Sequence, residues 1–136
     1  MSDANDLTLL GNSKSSLPAS PSDAKIEVFP NQSAHRKYRV ELDCPEFSSL
    51  CPVTGQPDTA RISISYVPGK VCLETKSVKF YLASYRNQPA FNEEVVNRLL
   101  DDLVAACEPV SMSVSGKFGS RGGISLTATA SYPEAD

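Results

Sequence analysis

The sequence has little of what usually announces a function. Its first 24 residues, Met1 to Ala24, are rich in Ser, Asn, Asp and Pro and contain no sustained apolar block, which excludes a signal peptide or membrane anchor there and reads as a disordered tail. A net charge of -3 over 136 residues gives no general attraction to nucleic acid or anionic lipid, so no direct nucleic-acid or membrane partner is expected. There is one histidine, His35, and the spacing of Cys44, Cys51, Cys72 and Cys107 fits no zinc pattern, so no metal site is expected. Without export these cysteines are thiols in a reducing, cytoplasmic setting. A dinucleotide fingerprint is also lacking: Gly116, Gly119, Gly122 and Gly123 follow one strand and precede another strand, not a helix.

What remains is one domain over residues 25–136. Ile26 and Val28 alternate in a short strand within Lys25 to Pro30, and Tyr38, Val40 and Leu42 alternate in a better one. From Cys44 to Asp58, three prolines and a glycine predict a shaped loop. Ile62, Ile64 and Tyr66 alternate with Ser63 and Ser65 in a further strand. Val78, Tyr81, Leu82 and Tyr85 lie on one face of a helix ending near Asn87. Val95, Val96, Leu99, Leu100, Leu103 and Val104 stripe a second helix beginning near Phe91 or Asn92. A hairpin with a long glycine-rich loop follows, with Met112 and Val114 on one arm and Ile124, Leu126 and Ala128 on the other.

The order strand, strand, helix, helix, strand, strand predicts an α+β fold: a four-stranded antiparallel sheet with both helices on one face. Two open edges on so small a sheet predict a homo-oligomer built by sheet extension.

Among the thiols, Cys72 in Val71-Cys72-Leu73 and Cys107 at the end of a helix stripe read as small core residues, and Cys44 is read the same way. Cys51 differs because Thr54, Gly55, Gln56 and Asp58 follow it in a segment too polar for core, a suitable place for a nucleophile. No imidazole is adjacent, which argues against a cysteine protease. Asp58 has two readings, a proton donor if burial keeps it protonated or a turn residue after Pro57. Lys76, Lys79 and Arg121 read equally as solvated charge or as an anion clamp. Glu93 beside Phe91 is either a helix-start carboxylate or a group that accepts two parallel hydrogen bonds from a guanine-like ring edge while the aromatic covers the ring.

These segments together resemble the NADPH-dependent 7-cyano-7-deazaguanine reductases of queuosine (tRNA modification) biosynthesis in their short form. The resemblance runs from Tyr38 to Tyr132 and rests on Leu50-Cys51-Pro52-Val53-Thr54-Gly55-Gln56-Pro57-Asp58, Glu74-Thr75-Lys76-Ser77-Val78-Lys79-Phe80-Tyr81, Ser84-Tyr85-Arg86-Asn87, Phe91-Asn92-Glu93 and Phe118-Gly119-Ser120-Arg121-Gly122-Gly123. It implies the tunnelling fold, in which such sheets join edge to edge, commonly as paired pentamers with active sites at subunit interfaces. It implies Cys51 as a nucleophile that forms a thioimide with the nitrile and Asp58 as the acid. Glu93, Glu74, Thr75, Phe91 and Asn92 then bind the deazapurine, and Lys76, Lys79 and Arg121 hold the phosphates of NADPH. The family carries histidine where this chain has Asn92, and an asparagine hydrogen-bonds without relaying a proton. Serine or leucine is commoner at Thr75, whose hydroxyl preserves the hydrogen bond. Two other functions share these features: an amidine-forming relative that needs no hydride, and a non-catalytic purine- or pterin-binding oligomer of the same fold.

Overall fold

The computed structural model describes residues 17–134. Its main sheet has four antiparallel strands in the order β2-β3-β5-β6: β2 (Val40–Leu50), β3 (Pro57–Val67), β5 (Ser111–Arg121) and β6 (Ile124–Tyr132). Between β3 and β5 run α1 (Thr75–Ala83), a 3-10 turn (Ser84–Asn87) and α2 (Asn92–Cys107). The expected α+β fold is present, and β2 and β6 are its open edges.

Alternation decides which face is covered. Ala60, Ile62, Ile64 and Tyr66 of β3 and Met112, Val114 and Phe118 of β5 are buried, and all of them join one core with Val78, Tyr81 and Leu82 of α1 and the stripe from Val95 to Cys107 of α2. Their neighbours Ser63, Ser65, Ser113 and Ser115 point the other way, so the opposite face is polar. Leu99 and Leu103 are fully buried, each worth about 1.5–3 kcal/mol in area removed from water. Gly116 permits the close approach of α2, since a Cβ there would lie 2.9 Å from Val96 Cγ2. α2 stops where Glu108 adopts φ 43° ahead of Pro109.

The structure corrects three sequence expectations. Most of the segment from Cys44 to Asp58 is not loop: β2 runs on to Leu50 and β3 starts at Pro57, leaving six residues, Cys51 to Gln56, between them. Pro45 is tolerated because β2 is an edge strand and its register shifts between Cys44 and Phe47. The hairpin loop is short, since β5 and β6 are joined by Gly122 and Gly123 alone, at φ 58° and 82°, and the matching turn needs positive φ at both positions. The first strand shrinks to β1 (Val28–Pro30) and pairs outside the main sheet with β4 (Val71–Leu73), three buried residues too short to show alternation.

Met1 to Ser16 lie outside the described residues, but from Leu17 to Ala24 the chain packs on the domain. Pro21 is buried, the carbonyl of Pro18 accepts from Arg86 Nη1 at 2.9 Å, and Ser22 Oγ accepts from Arg98 Nη2 at 3.3 Å. The helices beneath are tied by a hydroxyl network in which Tyr81 donates to Asp102 Oδ2 at 2.6 Å and meets Tyr85 Oη at 2.9 Å.

Candidate active site

The ends of β2 and β3 frame a turn whose first residue is Cys51. Its N–H donates to the carbonyl of Gln56 at 2.8 Å and its carbonyl accepts from Gly55 at 2.8 Å, with Gly55 in the left-handed region at φ 72°. One residue earlier, Leu50 donates to the carbonyl of Gln88 at 3.1 Å and accepts from Ala90 N–H at 3.1 Å, a parallel bridge centred on Pro89. That bridge anchors the thiol loop to the segment leading into Phe91, Asn92 and Glu93. It was not legible from periodicity, because the contact is a single bridge on either side of a proline.

Cys51 is partly exposed, and its thiol is held below its ordinary pKa, first by the hydroxyl of Thr54 and then by the N–H groups of Thr54 and Val53. Burial and the carboxylate of Asp58 oppose the shift. These three donors favour the charged form of the sulfur without a histidine. Thr54 was seen in the sequence only as part of a polar setting. Its position three residues after the cysteine, just before the glycine that lets the turn close, was the available signal.

Asp58 is 9 % exposed and points to the helix-covered side of β3. Arg121 Nε lies 2.7 Å from its Oδ1, while Arg121 Nη1 donates to Gln56 Oε1 at 3.1 Å and Nη2 to the carbonyl of Pro57 at 2.6 Å. The guanidinium expected on a cofactor phosphate therefore sits on the thiol loop. The cross-strand partner of Asp58 is Ser49, fully buried. Ser49 Oγ and Asn92 Oδ1 are buried side-chain atoms without a hydrogen-bond partner among the described residues, and both lie within two residues of the Leu50–Pro89 bridge or its Ala90 arm. Unpartnered polar atoms beside the bridge that anchors the Cys51 loop suit a site that receives a polar ligand.

Phe91 is 54 % exposed as the N-cap of α2, and Glu93 follows in the exposed first turn. Glu74 is placed differently from Glu93. It is buried, and its two carboxylate oxygens accept from Lys76 N–H and Ser77 N–H at 2.8 Å each, capping α1. Capping gives Glu74 a structural reason to be present and leaves only its remaining lone pairs for a ligand. Thr75 and Lys79 line a groove of about 610 Å³ between β2 and α1, together with Phe47, Ser48 and Arg86. Cys51, Asp58 and Glu93 are not among its lining residues, so this groove does not bring all the expected site residues together. Lys76, one turn before Phe80, lies 5.8 Å from that ring's centre. Among the described residues no group of His, Cys, Asp and Glu is arranged to hold a metal, and no helix is long and apolar enough to cross a membrane.

A four-stranded sheet backed by two helices carries, at one end of β2 and β3, a thiol lowered by hydrogen-bond donors and a carboxylate. Residues 57–136 match the family described as QueF-like protein. The chain is 46 % identical over 127 residues to the NADPH-dependent 7-cyano-7-deazaguanine reductase of Streptococcus mutans, covering 93 % of this chain and 78 % of that one. To the reductase of the same description from Syntrophus aciditrophicus it is 48 % identical over 130 residues, 96 % and 89 % of the two chains. A crystal structure titled as the archaeosine synthase QueF-Like in the apo form superposes with a TM-score of 0.67 at 26 % identity, covering 72 % of this chain and 96 % of that one. The chain belongs to the QueF-like protein family.

Proposed function

We propose that the chain reduces the nitrile of 7-cyano-7-deazaguanine to the aminomethyl group with NADPH, as a step of queuosine formation, and that Cys51 carries the reaction. The observation that supports it most is the Thr54 hydroxyl and the two backbone N–H groups that lower the Cys51 thiol from its ordinary value, with Asp58 nearby. The Cys51 sulfur adds to the nitrile carbon, forming the C–S bond and breaking one C–N π bond, and the thiol proton passes by way of the Asp58 carboxylate to the nitrogen. The product of that step is a thioimide on Cys51. NADPH, when bound, supplies hydride, and two hydrides with two protons convert the nitrile to the primary amine.

The remaining residues hold the reactants. Glu93 accepts from the N–H edge of the deazaguanine, and Phe91 covers its ring. Asn92 offers its unpartnered oxygen to a ligand N–H and cannot itself relay a proton near neutral pH. Thr75 contributes a hydroxyl at the groove, and Glu74 shapes the N-terminus of α1 beside it. Lys76 and Lys79, three apart on α1, suit the phosphates of NADPH. Because the Thr75 and Lys79 groove is lined by edge strand β2 and the thiol loop is not part of that lining, a site completed by a neighbouring subunit through the β2 and β6 edges suits both, and paired pentamers are the assembly we favour.

The second reading, addition of ammonia to the same thioimide, is favoured by the archaeosine synthase superposition, yet identity to that chain is 26 % against 46 % for a reductase. Intact-protein mass measurement separates the two. The protein should gain the mass of the nitrile in the absence of NADPH, then lose it on NADPH addition with oxidation of the nucleotide. An adduct discharged by ammonia and indifferent to NADPH would overturn the reductase reading in favour of the amidine former.

A further inference from the structure

We propose that Arg121 is a positioning residue for the Cys51 loop and its acid, and not a ligand of the cofactor phosphates. This rests on the reading of Cys51 and Asp58 as the capture pair. Three nitrogens of one guanidinium each meet an acceptor, and the acceptors belong to three consecutive residues: Gln56 Oε1 at 3.1 Å, the Pro57 carbonyl at 2.6 Å and Asp58 Oδ1 at 2.7 Å. Gln56 is also the residue whose carbonyl accepts from Cys51 N–H. The side chain therefore fixes the closing arm of the nucleophile turn and the orientation of the carboxylate together.

The hairpin explains how it gets there. β5 pairs with β3 up to Phe118↔Ala60, its register with β6 then shifts between Phe118 and Arg121, and the Gly122-Gly123 turn ends the strand. Arg121 thus stands at the tip of β5, level with the first residues of β3. Its side chain is 42 % exposed, so solvent screens the charge and the ion pair adds little to folding stability. Its contribution is geometric: a planar fork reaches three acceptors in fixed directions, which a lysine ammonium cannot do. A phosphate, by contrast, is bound well by either cation. To hold a phosphate with its full fork, Arg121 would first have to give up these contacts.

Arg121→Lys separates the two roles because it keeps the charge and loses the fork. Two quantities are measured: the rate of nitrile adduct formation on Cys51 without NADPH, by intact mass, and KM for NADPH in turnover. A positioning role gives adduct formation slowed about tenfold or more with KM for NADPH changed less than about threefold. Adduct formation at the wild-type rate, whatever the KM for NADPH, would overturn the proposal, because a phosphate contact tolerates the lysine and a three-acceptor clamp on the turn does not. Gln56→Ala, which leaves Arg121 in place and removes one acceptor, guards against a misfolded lysine variant. It should slow capture several-fold without moving KM for NADPH, and a wild-type capture rate in it would count against the clamp. Failure of the function itself shows earlier and differently, as the absence of any adduct on the unmodified protein.

Discussion

Cys51 and Cys107 are the same side chain in two regions of one small domain, and the structure drives their chemistry in opposite directions. Cys107 ends α2 inside the core, 1 % exposed, and burial pushes its thiol up to about 12, with Cys72 adding to the rise. Cys51 sits on a turn where the Thr54 hydroxyl and two backbone N–H groups pull its thiol down. Exposure alone does not separate them, since water would leave a thiol at its ordinary value. The donors at Cys51 make the difference, so the lowered thiol is a property of a six-residue turn and the raised one a property of the core.

The largest effect follows from exchanging sulfur for oxygen at each position. Cys51→Ser should abolish the nitrile adduct, and intact mass would show it. Cys107→Ser should form the adduct at nearly the wild-type rate but unfold more easily, by about 1–3 kcal/mol in denaturant titration, because a hydroxyl replaces a thiol in apolar surroundings. Adduct loss in the Cys107 variant of a folded protein would break the separation of the two regions.

A smaller effect tests the interior through its hydroxyl network. Tyr81→Phe removes the donor to Asp102 and the partner of Tyr85, leaving Asp102 with Arg98 at 3.5 Å. The expected cost is about 1–2 kcal/mol of unfolding free energy. Alkylation of Cys51 should proceed at the wild-type rate, because the network lies among the helices and the donors to Cys51 are local. A matching fall in alkylation would mean that the core transmits strain to the turn.

How far each region could be read from the sequence follows the same division. The core was legible because burial writes itself as spacing: the stripe from Val95 to Leu103 and the alternation of Ile62, Ile64 and Tyr66 were both recovered as α2 and β3. The turn was legible only in part. Cys51 stood out as the least core-like thiol, but the Thr54 hydroxyl, the Leu50–Pro89 bridge and the Arg121 fork are contacts that leave no periodic trace. Proline misled where topology overruled it, since Pro45 on an edge strand at a register shift costs no ladder bond. Glycine misled in the opposite sense, as five residues read as a loop closed on the two that needed positive φ.

The finest test asks which donor lowers the Cys51 thiol. Thr54→Val removes the hydroxyl and leaves the N–H groups of Val53 and Thr54 in place, so the thiol should move back up toward its ordinary value without reaching it. Alkylation follows the thiolate, so its pH profile should shift to higher pH and the rate near neutrality should fall. Above both midpoints the variant should equal or slightly exceed wild type, because a more basic thiolate is the better nucleophile. Thr54→Ser retains the hydroxyl and should overlay the wild-type curve. If the valine and wild-type profiles coincide, the backbone of the turn alone lowers the thiol, and the contrast with Cys107 reduces to main-chain geometry.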